Sequence, residues 1–451
     1  MKILLIDPPF QRFMGYYRFY FPLGLTYLAA VLRQAGHEVL IYDAEHDPKC
    51  YSLSMKATAF SHRHYLEALQ NNAHYIWQEY LNILEKFMPD IVGISFLTPK
   101  VGSALKLAQL TKQHRSDIIV VAGGEHVTVR PQDALGKNVD YVVCGEGEQS
   151  ISTLVQQISE GKQAPAVIKS QLIEALDTIP LPALDCLHAD SYRPTDMGLL
   201  ISARGCPFNC GFCALSVVWG CRVRYHSVSR VIQEIVLRKD RYGTEYFSFR
   251  NGTFTLNQRR VAGICQLLIE RQLRVKWECL TRVGHFNDAL LELMKAAGCD
   301  RIRIGIESGS PRILHYMNKN ITLTQIRESA EMLHRNGIVW SAYFMLGVPV
   351  ETEESIQETL ALIREIEPPF VTLARFSPLP GTPMYKEVVE CGLLDENTTD
   401  WSWAANQSMD RAFVKDMNQA RFLSLMHEAS QFVEEYNKKH EAVHADIRLK
   451  T

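Results

Sequence analysis

The sequence predicts an α/β protein: a doubly wound parallel sheet, then an open (β/α)6 partial barrel, then a small helical C-terminal tail. Three observations predict it. Short, nearly all-apolar runs alternate with helical patterns over residues 1–163. A proline-stiffened stretch interrupts that rhythm at 164–197. Six more strand-like segments then recur over 198–390 with helical sequence in every gap, before a tail at 391–451.

The first runs are Lys2–Ile6, Glu38–Tyr42, Asp90–Ser95, Ile118–Ala122 and Tyr141–Cys144. Each is almost continuously apolar, as strands buried on both faces of a parallel sheet must be. The helical pattern at Leu23–Gln34 stops before Gly36, a C-terminal cap signal. Such sheets bind ligands at the carboxyl ends of their strands. A long insert, about Asp47 to Pro89, carries Tyr65, Leu66, Leu69, Ile76, Tyr80, Leu81 and Leu84 at roughly helical spacing. Its His62, His64 and His74 read as solvated or capping side chains rather than ligands.

The Ile179-Pro-Leu-Pro-Ala-Leu-Asp185 segment reads as the interdomain connection. Beyond it the expected barrel strands are Gly198–Ala203, Tyr246–Phe249, Val275–Thr281, Arg301–Glu307, Val339–Leu346 and Phe370–Phe376. Ser310 before Pro311 is an N-cap followed by proline at the first helical position. Thr352, with Glu353 and Glu354 after it, is a cap with acids in the first turn. Six β/α units make an open barrel, two short of a closed eight-fold one. The tail holds Trp401 and Trp403 and a helix from about Lys415 to Lys439.

Composition narrows the function. Of 451 residues, 47% are hydrophobic and 22% charged, and the formal net charge is -2. That charge gives no basic footprint for nucleic acid. No apolar run approaches the ~18 residues of a membrane span, and the apolar start is cut short by Asp7, Pro8 and Pro9, so no secretory signal is expected. A cytoplasmic protein is the simplest expectation. The 11 cysteines do not resemble a secreted disulfide framework. Cys144, Cys265, Cys279 and Cys299 sit singly in apolar segments, like small buried hydrophobes.

Only Cys206, Cys210 and Cys213 cluster, in Gly205-Cys-Pro-Phe-Asn-Cys-Gly-Phe-Cys213, with Cys221 further on. This C-x3-C-x2-C loop follows the first barrel strand on the face where barrel enzymes place their chemistry. Three thiolates can hold three irons of a four-iron four-sulfur cube. The fourth iron then has an open position, as in a catalytic metal site. Gly205 and Gly211 let the loop wrap closely. The alternative is structural zinc with Cys221 or His226 as fourth ligand, although such sites favour paired C-x2-C knuckles.

Here the sequence resembles the radical S-adenosylmethionine superfamily, whose motif Cys206, Cys210 and Cys213 match residue by residue. The resemblance implies that S-adenosylmethionine chelates the free iron and is cleaved to methionine and a 5′-deoxyadenosyl radical. It also implies an electron donor such as flavodoxin or ferredoxin and a small-molecule substrate. Phe212 matches the residue packing near the adenine. Asn251 and Gly252, in Phe249-Arg-Asn-Gly-Thr-Phe254, fall where the family's backbone meets the methionine amino group. Relatives carry acids where this chain has Arg250 and Asn251, which leaves a backbone role there. Arg282 ends the third strand and could pair with a carboxylate. Glu307 and Ser308 end the fourth, where ribose hydroxyls or the amino-acid moiety are read. Gly347 ends the fifth near the adenine.

A second resemblance lies in the first domain. Ser95, Leu97 and Thr98 after the third strand, and Gly123, Gly124, Glu125 and His126 after the fourth, look like the cobalamin-binding domain of corrinoid enzymes. Those loops enclose the nucleotide tail. Gly145 and Glu146, in Cys144-Gly-Glu-Gly-Glu148, are similar to the end of that domain. The loop after the first strand, Asp7 to Phe21, departs from the cobalt-ligating pattern because it has no histidine. The resemblance is thus to the subgroup whose cobalt lacks a histidine lower ligand, with the aromatic run Tyr16–Phe21 against the corrin, the substrate or the interdomain core. The implied activity is cobalamin-dependent methylation of an unactivated carbon or a phosphinate phosphorus. An oxidoreductase or cyclase without methyl transfer is the alternative. Methylthio transfer is disfavoured because only Cys50 and Cys144 lie in the first domain. A non-enzymatic corrinoid or zinc carrier would leave the barrel-top residues unexplained.

Overall fold

The computed structural model of the chain describes residues 1–15, 20–47, 55–187, 192–405 and 411–440, the side chains of 55–61 excepted. It divides into two compact units: Met1–Tyr192 with Val217–Trp219 and Asn397–Ser408, and Arg193–Ser216 with Gly220–Glu396 and Met409–Thr451.

The first unit is built on a six-stranded sheet of β1 (Lys2–Asp7), β2 (Glu38–Asp43), β3 (Ile91–Ser95), β4 (Ile119–Gly123), β5 (Tyr141–Cys144) and β6 (Val167–Lys169). Its order is β2-β1-β3-β4-β5-β6, with every pairing parallel. β1 pairs with both β2 and β3, so its Ile3, Leu4, Leu5 and Ile6 are all buried. That explains its unbroken apolar run. The insert forms two helices, Met55–Gln70 and Tyr75–Phe87. His74 caps the second, its ring accepting from the Ile76 amide at 3.3 Å, so the capping reading of that histidine holds. Within the stretch expected to be connection, Val167–Lys169 instead adds a sixth strand. Three residues at a sheet edge are too few to register as a periodic signal.

The second unit carries a second parallel sheet of β7 (Leu199–Leu200), β10 (Tyr246–Phe249), β11 (Lys276–Thr281), β12 (Cys299–Glu307), β13 (Val339–Leu346) and β14 (Phe370–Arg375), ordered β14-β13-β12-β11-β10-β7. A small antiparallel hairpin, β8 (Ala203–Arg204) with β9 (Arg224–Tyr225), stands after β7. The expected first strand Gly198–Ala203 therefore shortens, because its end leaves the sheet to pair with β9. Thr352 caps the helix Glu353–Ile366 by accepting from the Ser355 amide, whereas Ser310 makes no side-chain cap bond and only Pro311 marks its helix start. The last helix, Gln419–Lys439, covers the exposed edge of β14. Asn437 donates to the Val371 carbonyl at 2.8 Å and accepts from its amide at 2.9 Å. An open sheet edge satisfied in this way is not left as a template for strand addition. Among the described residues no helix is long and apolar enough to cross a membrane.

Candidate active site at the cysteine loop

The loop from Gly205 to Cys213 follows β8 at the carboxyl end of β7, and three other segments hold its backbone. Gly211 donates to the Met317 carbonyl at 2.8 Å and accepts from the Met384 amide at 3.0 Å, while the Cys206 amide donates to the Gly220 carbonyl at 3.2 Å. Asn318 Nδ2 donates to the Asn209 carbonyl at 2.7 Å. Gly205 has φ +92, and a Cβ there would run into the Arg222 carbonyl. These anchors, Met317, Asn318 and Met384, were not found from the sequence. The only local hint was Asn318 and Asn320 in Met-Asn-Lys-Asn, both of which adopt φ near +50, a region asparagine tolerates.

Several expected residues converge on the loop. A Cβ at Gly252 would stand 3.4 Å from Cys206 Cβ and 3.6 Å from its Sγ, so the glycine lets the loop after β10 back onto that cysteine. Arg282, buried at the end of β11, directs Nη1 to Cys210 Sγ at 3.5 Å and lies over Phe208, 4.2 Å from the ring centroid. Lys319 sits 5.8 Å from the Phe212 ring centroid and binds Glu307 at 2.6 Å. Glu307 has φ 74 beside a register shift between β12 and β13. A non-glycine residue in that region is strained, and such strain gathers at functional sites.

Other expected residues are engaged by the protein itself. Asn251 accepts from the Ser202 amide at 3.0 Å and donates to Ser202 Oγ at 2.9 Å. Its side chain locks the β7–β8 turn, which leaves the backbone role expected there. The Ser308 hydroxyl lies 3.2 Å from Thr359 Oγ1 and accepts from the Ser310 amide. Gly347 has φ +96, and a Cβ there would meet Phe422 Cζ at 2.5 Å. The C-terminal helix is what demands glycine at this position. Trp401 and Trp403 of the tail belong to the first unit.

The loop chemistry suits an iron–sulfur cube. Burial pushes the Cys206 thiol up; a backbone bond from Phe208 opposes this, and the Cys210 thiol adds to the rise. The same burial pushes Cys213 to about 11. Thiolate ligation must pay that protonation cost and release protons on assembly, and the Arg282 cation is placed to offset part of it. Cys221 is exposed and bonds Asn209 rather than joining the three. Among the described residues no three cysteine, histidine or acidic side chains close on a common point as ligands of one ion would. A cube is larger than one ion, and its ligands stand further apart.

In the first unit the residues expected at cobalamin divide in two. Leu97 is exposed, as is Glu125, and Ser95 and Gly123 are half-buried on the carboxyl edge of β3 and β4. His126 is fully buried, with Nδ1 3.2 Å from Thr98 Oγ1 and Nε2 3.0 Å from Asp133. Burial lowers its pKa despite that carboxylate. Both ring nitrogens of His126 thus have partners within the protein, and Trp401 packs edge-on against the imidazole at 5.3 Å. Gly124 has φ +100, and a Cβ there would lie 2.6 Å from the Phe96 amide nitrogen. Gly145 has φ +93 beside Ser170. Both glycines are required by the chain's own turns. Glu146 accepts from the Ile173 amide at 2.8 Å.

The loop after β1 is fixed from below by a buried ionic group. Glu45 accepts from the amides of Phe10, Gln11 and Arg12 at 3.0, 3.2 and 3.0 Å. Lys100 binds Asp7 at 2.6 Å and Glu45 at 3.0 Å. Tyr16–Phe19 of the aromatic run, like Cys50, lie outside the described residues.

Together the sheet, the partial barrel and the three-thiol loop define a two-part enzyme of the iron–sulfur type. Residues 200–363 match the radical SAM superfamily profile and residues 16–155 that of the B12 binding domain. An uncharacterized methyltransferase of Pyrococcus horikoshii is 32% identical over 416 residues, covering 87% of this chain and 84% of that protein. Cytidylyl-2-hydroxyethylphosphonate methyltransferase of Streptomyces wedmorensis is 25% identical over 453 residues, covering 87% and 83%. Anaerobic magnesium-protoporphyrin IX monomethyl ester cyclase of Rubrivivax gelatinosus is 29% identical over 325 residues, covering 66% and 58%. The fold matches that of the radical S-adenosylmethionine methyltransferase TsrM from Kitasatospora setae, with cobalamin and a [4Fe-4S] cluster bound, at a TM-score of 0.66 and 18% identity, over 87% of this chain and 75% of that one. The chain belongs to the radical SAM superfamily, in the group that carries a B12-binding domain.

Proposed function

We propose that this protein is a cobalamin-dependent radical S-adenosylmethionine methyltransferase acting on an unactivated carbon or a phosphinate phosphorus of a small molecule. The observation that carries the reading is the anchored three-thiol loop with Arg282 against Cys210. Methyl transfer is favoured over ring closure because the methyltransferase of Pyrococcus horikoshii is 32% identical over 87% of this chain, against 29% over 66% for the cyclase of Rubrivivax gelatinosus. Cys206, Cys210 and Cys213 would hold the cluster. When bound, the cluster supplies one-electron cleavage of S-adenosylmethionine, and cobalamin supplies the methyl donor. The chain's own part is positional. Gly252 brings the β10 loop onto Cys206, Arg282 sets a positive charge at a cluster sulfur, and the Glu45–Lys100 group fixes the loop that would face the corrin. A flavodoxin- or ferredoxin-class donor in the cytoplasm would supply the electron.

The test is product analysis with methyl-labelled S-adenosylmethionine, the holoenzyme and a small-molecule extract. A labelled product, with S-adenosylhomocysteine and 5′-deoxyadenosine in equal amounts, is expected. An unlabelled product without S-adenosylhomocysteine would replace methyl transfer by cyclisation or oxidation. Changing the three cysteines to alanine should remove both iron and deoxyadenosine, and stoichiometric zinc without iron in the parent protein would overturn the cluster.

A further inference from the structure

The two faces of the second sheet differ in a way the cysteine loop does not explain. One face is buried core, with Phe247, Trp277, Ile304, Phe344 and Leu373. On the other, Leu280, Tyr343, Met345, Thr372 and Ala374 are only half-buried. Strand alternation puts successive residues on opposite sides, so this partly open side is the barrel interior. Its wall is mostly apolar with a few placed polar groups, the make-up of a ligand recess.

Two hydroxyls stand out on that wall. Register sets Tyr343 of β13 between Gly305 of β12 and Thr372 of β14. The Tyr343 hydroxyl accepts from Arg303 Nη1 at 3.2 Å, its one hydrogen bond among the described residues. That bond occupies a lone pair of the oxygen and leaves the phenolic proton without an acceptor. The neighbouring Thr372 hydroxyl has no hydrogen-bond partner among the described residues. Unmatched polar groups cost free energy once water is excluded, so each calls for a partner. The two cations nearby are matched by carboxylates. Arg303 grips Glu278 through both oxygens, at 2.7 and 3.0 Å, and Lys319 binds Glu307 at 2.6 Å. A Cβ on Gly305 would run into Glu307 Oε1, so the Lys319–Glu307 pair lies over β12 and bounds the recess on that side.

We propose that this recess is a substrate subsite in which Tyr343 donates to a neutral acceptor oxygen, the carbonyl of a ketone, ester or amide, in a largely apolar part of the substrate. Thr372 supplies the second hydroxyl of the same wall. Arg303 is a positioning residue: its bond fixes the phenol and polarises the O–H, which strengthens the donation. A buried anion would need a cation of its own, whereas Arg303 and Lys319 each already face a carboxylate. The inference deepens the methyltransferase reading and rests on it only in calling the recess the substrate's.

The test is competition NMR of small probes with the anaerobic holoenzyme saturated with S-adenosylhomocysteine, so that the cofactor's own site is filled. The probes are acetophenone, its carbonyl-free counterpart ethylbenzene, and benzoate. Acetophenone should bind more tightly than either of the others. Tyr343→Phe removes only the hydroxyl and should weaken acetophenone about fivefold, the size of one neutral hydrogen bond, with ethylbenzene unchanged within twofold. If that variant does not fold, the parent alone decides: the infrared carbonyl stretch of bound, isotope-labelled acetophenone should lie below its value in hexane. Absent acetophenone binding, equal binding of acetophenone and ethylbenzene, an unshifted stretch, or a variant that weakens both probes equally or neither would overturn the subsite. Benzoate binding tighter than acetophenone would overturn the neutral assignment. An unlabelled product in the methyl-transfer assay, with the preference for acetophenone intact, would instead sink the methyltransferase reading alone.

Discussion

Replacing Lys100 by methionine tests the buried ionic group beneath the β1 loop. Lys100 is about 6% exposed and ties together Asp7 at 9% and Glu45 at 1%. Methionine matches its length but leaves two buried carboxylates without their cation. Breaking a buried pair from one side costs about 3–5 kcal/mol. For a unit of this size that lowers the melting midpoint by roughly 6–20 °C. The pH dependence fixes the cause. In the parent, burial pushes the Glu45 carboxyl up, but Lys100 and the amides of Phe10 and Arg12 outweigh it and hold it low. A depressed carboxyl gives stability that is present above the unfolded value and lost as pH falls through the folded one. Without Lys100 the burial term loses its main opponent. The Glu45 carboxyl rises, and the variant is then penalised most above the unfolded value. The deficit should therefore be largest near pH 7–8 and shrink toward pH 5. Melts of the apo-protein, followed by circular dichroism across that range, measure it. Adding Glu45→Gln to Lys100→Met should return roughly half of the loss. A deficit below about 1 kcal/mol, or one that is flat with pH, would refute the account. Cobalamin retained through gel filtration should fall along with stability, because the amides Glu45 holds belong to the loop proposed to face the corrin.

Two further outcomes bear on the barrel. Arg282→Met removes a cation 3.5 Å from Cys210 Sγ, so the cluster should reduce at a potential lower by about 60 mV or more, with iron content unchanged; an unmoved or higher potential in an anaerobic redox titration would count against Arg282 acting on the cluster. Phe422→Ala removes a fully buried ring and should cost about 3–5 kcal/mol, while Gly347→Ala should cost less in the Phe422→Ala background than in the parent, with a coupling of at least ~0.5 kcal/mol; strict additivity in denaturant unfolding would show that the ring does not impose the glycine.

The strands were legible where burial on both faces made them continuously apolar. β2, β3 and β5 fall within a residue or so of the expected runs, and β13 coincides with Val339–Leu346. What escaped had no such signature. β6 is three residues long, and β8 and β9 are two each, so their pairing is fixed by the turns around the cysteine loop rather than by their own pattern. At two glycines the chain alone accounts for the residue: a Cβ at Gly124 would meet the Phe96 backbone, and one at Gly347 the Phe422 ring. A sequence shows that a side chain is intolerable at a position, not what would collide with it. His126 meets Asp133, seven residues on, and Thr98, 28 residues back, a pairing its own segment does not display.

The arginine interior shows what alternation can and cannot reveal. The run Arg301-Ile-Arg-Ile-Gly-Ile-Glu307 displays its two faces plainly, apolar toward the helices and polar toward the interior. Its meaning depends on Glu278, which register places opposite Arg301, and on Arg250, one residue beyond β10. In the sequence Arg250 stood out only as a departure from the acids expected there. That departure becomes chemically intelligible once the sheet is assembled. An acid at 250 would repel Glu278 across the interior, whereas arginine joins Arg301 and Arg303 around that shared buried carboxylate.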